Sequence, residues 1–278
     1  MKKIIHLFIV SLALFALGAC ASNEEVSSGN EKTEINIGAT AGPYSDQLKE
    51  GIAPLLEKEG YTVNVTEFSD YIQPNKALEE NAVDVNVFQN AIYLEQFNED
   101  HNMDLVASYA VPTAPIALYS DKHNSLEDIK DGMKITLPND PTNLARSLHM
   151  LVDFGWVTID DSVKQTTASE KDIIDNPYNL DVQPIEAAQT PRSLSDADFA
   201  FINGNFALAA DLKLTDSVAI EDTPEDYLIY VTLRNGEENE PFAKALEKAY
   251  KSEAFLDYTN EHAQGYVKPP YQNELEEK

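Results

Sequence analysis

Three stretches of this chain carry residue types at spacings that could hold a small charged molecule. In LPNDPTNLARSLHML, Leu137 to Leu151, Asn143 and Arg146 stand three apart at the start of a helix with Asp140 as N-cap and Pro141 as first residue. Stepping about 100° per residue, Leu144, Ala145, Leu148, Leu151 and Val152 share one stripe, and Asn143, Arg146 and Met150 fall opposite. A guanidinium and an amide on one face suit a carboxylate, and the free N–H groups of the helix start favour an anion too. A solvated arginine on a polar helix face fits the same stretch. In DFAFINGNFALAA, a strand runs into Asn203-Gly204-Asn205 and then a small-residue helix, which delivers two amides at a second strand end. A turn with asparagine as helix cap fits this equally. FSDYIQPN and VNVFQNAIYLEQF place Tyr71, Phe88 and Tyr93 near element ends, as core or as the wall of a site. A carboxylate clamp, amides and aromatic rings together suit a small apolar amino acid.

Other chemistries lack their residues. Beyond the N-terminal apolar run, the histidines are His101, His123, His149 and His262, none at metal-ligand spacing, and there is no Gly-x-Ser-x-Gly or glycine-rich phosphate loop. No catalytic residue, metal or cofactor is therefore expected. With 20 Lys+Arg against 48 Asp+Glu, a net charge of −28, the chain repels phosphate backbones, which argues against nucleic acid as a partner.

The elements that must position these residues begin after a targeting segment. Lys2 and Lys3 precede an apolar run from Ile4 to Leu17, too short to span a bilayer comfortably, so residues 1–19 read as a signal peptide. The run ends in Leu17-Gly18-Ala19-Cys20, which resembles the lipobox of bacterial lipoproteins and marks Cys20, the only cysteine, for lipidation. Residues 20–34 are polar and free of aromatics, a flexible tether. Beyond them, β-branched runs alternate with helical patterns in the βαβ rhythm of a parallel sheet, restart after ALYS, and close with the strand YLIYVTLR and two C-terminal helices. The spacing predicts an α/β protein of two lobes joined by a double crossover, one from residues 35–120 plus 224–278 and the other from 121–223. Ligands of such folds lie at the carboxyl ends of strands, in the cleft.

The motifs INIGATAGP, EFSDYIQPNKALE, FQNAIYLEQFN, LPNDPTNLARSL, DIIDNPYNL, IEAAQTPRSL and FINGNFA, in this order, resemble the NlpA/MetQ family, methionine-binding lipoproteins of bacterial ABC importers. The resemblance implies the two-lobed periplasmic-binding-protein fold (type II-like), a lipid anchor on the extracytoplasmic face of the cell membrane, an ABC permease as partner and an amino-acid ligand, with methionine the leading candidate. It matches Arg146 to the carboxylate-binding arginine, Asn143 and Asn203 to cleft asparagines, and Tyr71, Phe88 and Tyr93 to the aromatic wall. Asn90 stands where a histidine is usual, Phe206 where a tyrosine is usual, and Ile229 where a cleft asparagine partners the ligand amine. These departures point to weaker methionine binding, or to a related apolar amino acid or short peptide. An adhesin or purely structural lipoprotein is the alternative from another class.

Overall fold

The computed structural model describes residues 33–277. The expected signal peptide, Cys20 and nearly all of the tether lie outside the described residues. From β1 (Glu34–Thr40) the chain passes through α1 (Pro43–Asp46), a π-helical stretch (Gln47–Ile52) and α2 (Ala53–Lys58) to β2 (Thr62–Phe68). It repeats the unit with α3 (Gln73–Glu79), β3 (Val85–Asn90), α4 (Ala91–His101) and β4 (Val106–Val111). A second set follows: β5 (Ala117–Tyr119), β6 (Lys134–Pro138), α5 (Pro141–Asp153), a small antiparallel pair β7 (Thr158–Ile159) and β8 (Ile173–Asp175), β9 (Asp181–Ile185), β10 (Phe199–Ile202), α6 (Gly204–Ala209) and β11 (Ala219–Ile220). The chain then returns as β12 (Ile229–Leu233) and ends in α7 (Pro241–Tyr250), α8 (Glu253–His262) and α9 (Pro270–Glu276).

Apart from the β7–β8 pair, the strands form one five-stranded sheet in each of two lobes, in the orders β2-β1-β3-β12-β4 and β11-β5-β10-β6-β9. The βαβ rhythm holds where it was read, since β1 runs parallel to β2 and β3, and β6 to β9 and β10. The strands that enter a sheet at a crossing differ: β12 is antiparallel to β3 and β4, and β5 to β10 and β11. The expected boundary at residue 120 needs correction, because Ala117–Tyr119 lies inside the second sheet. All three of its residues are buried, as a strand with neighbours on both sides requires, and a three-residue apolar run gives no sign of which sheet it will join.

Each lobe has its own core. Ile35, Ile37, Val85, Val87 and Tyr250 anchor the first, and Ile135, Leu137, Leu148, Trp156 and Phe199 the second. A third cluster spans both lobes, with Tyr71, Phe88, Tyr93 and Phe97 of the first packed with Tyr119, Ile202 and Phe206 of the second.

Candidate functional site

The polar wall of the cleft starts where β6 feeds α5. Asp140 caps the helix as expected: its Oδ1 accepts the Asn143 backbone N–H at 3.0 Å, and Pro141 takes the first position. The Asn143 side-chain amide donates to both Asp140 oxygens, at 3.0 and 3.1 Å, and the Thr142 hydroxyl donates at 3.1 Å. This corrects the expectation of free amides for a ligand at the helix end, since the cap's own carboxylate already fills that role. Burial raises the Asp140 carboxyl above its ordinary value, against the pull of these hydrogen bonds.

Further along α5, Arg146 is only 6 % exposed, and Asn143 and Met150 beside it are buried as well. The face opposite the apolar stripe is thus enclosed, and the reading of a solvated arginine is set aside. Arg146 Nε donates to Glu221 Oε1 at 2.5 Å, and Nη2 donates to Glu221 Oε2. The Tyr227 ring covers the guanidinium, with its centroid 4.6 Å from the central carbon.

At the β10–α6 junction, Asn203 does not cap the helix with its side chain. Its Nδ2 donates to Asn143 Oδ1 at 2.9 Å, while its buried Oδ1 has no hydrogen-bond partner among the described residues. Leaving such an oxygen unpaired costs about 1–3 kcal/mol, which an ammonium N–H would recover. Asn205 joins the lobes instead: its Oδ1 accepts the Tyr71 hydroxyl at 2.7 Å and its Nδ2 donates to the Thr40 hydroxyl at 3.4 Å. Gly204 is required by close approach, for a Cβ there would lie 2.6 Å from the Ala114 backbone.

The opposite wall is aromatic. The ring centroids of Tyr71 lie 5.8 Å from those of Phe88 and Tyr93, and Phe206 of the second lobe sits 5.0 Å from Tyr71. Phe88 is the extra residue of a β-bulge, where Val87 and Gln89 pair with the adjacent Val231 and Tyr230, and such bulges re-aim side chains beside sites. Asn90 caps α4, its Oδ1 accepting the Tyr93 backbone N–H at 2.8 Å, and the Tyr93 hydroxyl donates to the Tyr71 carbonyl at 3.0 Å. Burial raises the phenol pKa of both tyrosines and keeps them neutral. Ile229 is the first residue of β12, paired with Asn90 in register and buried, with its N–H on the Thr113 hydroxyl at 2.8 Å.

Tyr71, Phe88, Asn90, Tyr93, Asn143, Arg146, Asn203, Asn205 and Ile229 all border a single cavity between the lobes. Its volume is ≈ 20 Å³, room for about one water, so admitting an amino acid requires the lobes to part. Tyr44, Gln89, Thr113 and Ala114 border it too and were not foreseen. For Tyr44 the signal was Gly42-Pro43 after β1, one more strand-to-helix junction at this edge. Gln89 belongs to a buried amide cluster in which its Nε2 donates to Asn75 Oδ1 at 2.6 Å and Asn86 Nδ2 donates to the same oxygen at 2.9 Å. A wider cavity of ≈ 310 Å³ adjoins across Tyr71 and Tyr93, bordered also by Gln96, Asp100, Asp140 and Glu186.

Residues 35–271 match the family model described as NlpA lipoprotein. The methionine-binding lipoprotein MetQ of Bacillus subtilis is 37% identical over 277 residues, covering 97% of this chain and 99% of that protein. The D-methionine-binding lipoprotein MetQ of Salmonella typhi is 34% identical, covering 88% of this chain and 89% of that protein. Among solved structures, a nutrient binding protein from Burkholderia cenocepacia bound to methionine superposes with a TM-score of 0.80 at 36% identity, covering 84% of this chain and 99% of that chain.

Proposed function

Because this chain belongs to the NlpA lipoprotein family, we propose that it captures an apolar amino acid, L-methionine foremost, outside the cell membrane and delivers it to the permease of an ABC transporter. It is a binding protein, not an enzyme. Cys20 carries the anchor, and two or more acyl chains on one residue give the stable attachment that a single chain lacks. The observation that carries this reading is one cavity with the Arg146 guanidinium and the unpaired Asn203 Oδ1 on one side and the Tyr71, Phe88 and Tyr93 rings on the other. Those groups match the carboxylate, the ammonium and a flexible thioether side chain, which makes favourable sulfur–aromatic contacts. Mass spectrometry of small molecules released by denaturing the purified protein tests it. L-methionine or a close apolar relative is expected; a protein that releases no amino acid and binds none of the twenty on titration is not an amino-acid receptor.

A second reading, a short peptide whose C-terminal residue fills the inner site, is favoured by the adjoining cavity of ≈ 310 Å³. Its Asp100 and Glu186 carboxylates suit the peptide's displaced ammonium. Titration with methionine-ending dipeptides separates the two readings by which ligand binds more tightly.

A further inference from the structure

We propose that Glu221 is a positioning residue for the carboxylate clamp, holding Arg146 from behind so that the remaining edge of its guanidinium meets the ligand. This rests on the amino-acid reading above. Arg146 borders the inner cavity, whereas Glu221 and Tyr227 do not. A guanidinium presents five N–H groups in a planar fork. Glu221 engages Nε and one N–H of Nη2, which leaves Nη1 and the second Nη2 N–H as an edge that can take another carboxylate in two parallel hydrogen bonds.

Glu221 is itself held at both ends. Its backbone N–H donates to the Ile116 carbonyl at 3.1 Å, and its Oε2 accepts the Thr223 hydroxyl at 2.7 Å. Its side chain is 10 % exposed, so the fork geometry is little averaged by solvent. Tyr227 limits the remaining freedom, its ring lying against the guanidinium with the centroid 4.6 Å from the central carbon. Both residues come from the segment between β11 and β12, the second crossing between lobes, so the clamp on α5 is oriented by the connection that must flex when the lobes part. The pair is also electrically balanced, so the clamp recognises its ligand by directed hydrogen bonds rather than by net positive charge.

The test is calorimetric titration of the full-length protein, freed of ligand, with L-methionine and with L-methioninamide, which lacks the carboxylate. Wild type is expected to favour L-methionine. Glu221→Ala and Glu221→Gln are expected to weaken L-methionine binding about 10- to 100-fold, the worth of one charge-assisted hydrogen bond, and to leave the amide unchanged. Glu221→Gln keeps the side-chain shape and one acceptor, and so reports even where the alanine variant folds poorly. Equal weakening of both ligands means a merely structural role and overturns the proposal. Unchanged or tighter L-methionine binding means that Glu221 competes for the fork, and overturns it as well. If wild type binds neither ligand, the amino-acid reading fails first and takes this inference with it.

Discussion

On the second-lobe side of the cleft, Asn143, Arg146 and Asn203 are fixed by hydrogen bonds to Asp140, Glu221 and one another. On the first-lobe side, Tyr71, Phe88, Tyr93 and Ile229 are fixed mainly by packing, in clusters that continue into the hydrophobic core. Directed bonds tolerate few arrangements, whereas a packed apolar wall accepts different shapes of similar volume. On the proposed function, the polar wall would meet the head group that all amino acids share, and the aromatic wall the side chain. Substitutions on the two sides should then fail differently.

The largest effect belongs to the polar wall. Arg146→Ala leaves Glu221 enclosed without its cation, and breaking a buried pair in this way costs about 3–5 kcal/mol of folding stability. Urea unfolding of wild type and variant measures it through the shift in midpoint. A loss below 1 kcal/mol would mean that the pair is solvated and the wall less rigid than described.

Next is Ile229→Asn, where folding stability and ligand affinity should respond with opposite signs. Replacing a buried isoleucine lowers folding stability, but an amide facing the cleft gives the ligand ammonium a partner worth about 1–3 kcal/mol, a gain of roughly tenfold or more in L-methionine affinity. Calorimetry beside thermal unfolding reads both. Unimproved affinity would show that no ammonium N–H left over by Asn203 Oδ1 faces residue 229.

Tyr71→Phe deletes the hydroxyl that joins the aromatic wall to Asn205 of the polar wall. Loss of this single bond should weaken ligand binding by about 0.5–1.5 kcal/mol while the ring contacts remain. Binding weakened more than about thirtyfold would place the hydroxyl on the ligand itself.

The smallest effect is on pH. The folded Asp140 carboxyl titrates above its ordinary value of 3.8, so between these values the folded chain holds a proton that the unfolded chain has released. Stability from this group is thus present at low pH and lost as pH rises through the folded value. Relative to Asp140→Asn, wild type should gain stability on acidification from neutrality towards pH 4; a gap independent of pH would show that the carboxyl is not desolvated.

The same contrast explains what could be read from sequence. Arg146, Asn143 and Asn203 were legible because strand-to-helix junctions have local signatures, such as Asp140 and Pro141 in series, and because the fold places such junctions at the cleft. Their partners were not: Glu221 lies 75 residues from Arg146, and no local pattern announces that contact. The aromatic residues could be named, but not the bulge that presents Phe88, since alternation along β3 gives way to six buried residues in succession. β5 was assigned to the wrong lobe for a related reason, as a short apolar run carries no address.

On the proposed function, the cleft holds an amino acid by its carboxylate at Arg146. Removing Arg146 and Glu221 together leaves no stranded charge, so the fold is disturbed less than by either change alone. The direct measurement is therefore calorimetric titration of ligand-free wild type and of the Arg146→Ala/Glu221→Ala variant with L-methionine. Saturable one-site binding by wild type, weakened at least about a hundredfold in the folded double variant, is the predicted result. Equal affinity in the two proteins would contradict the clamp.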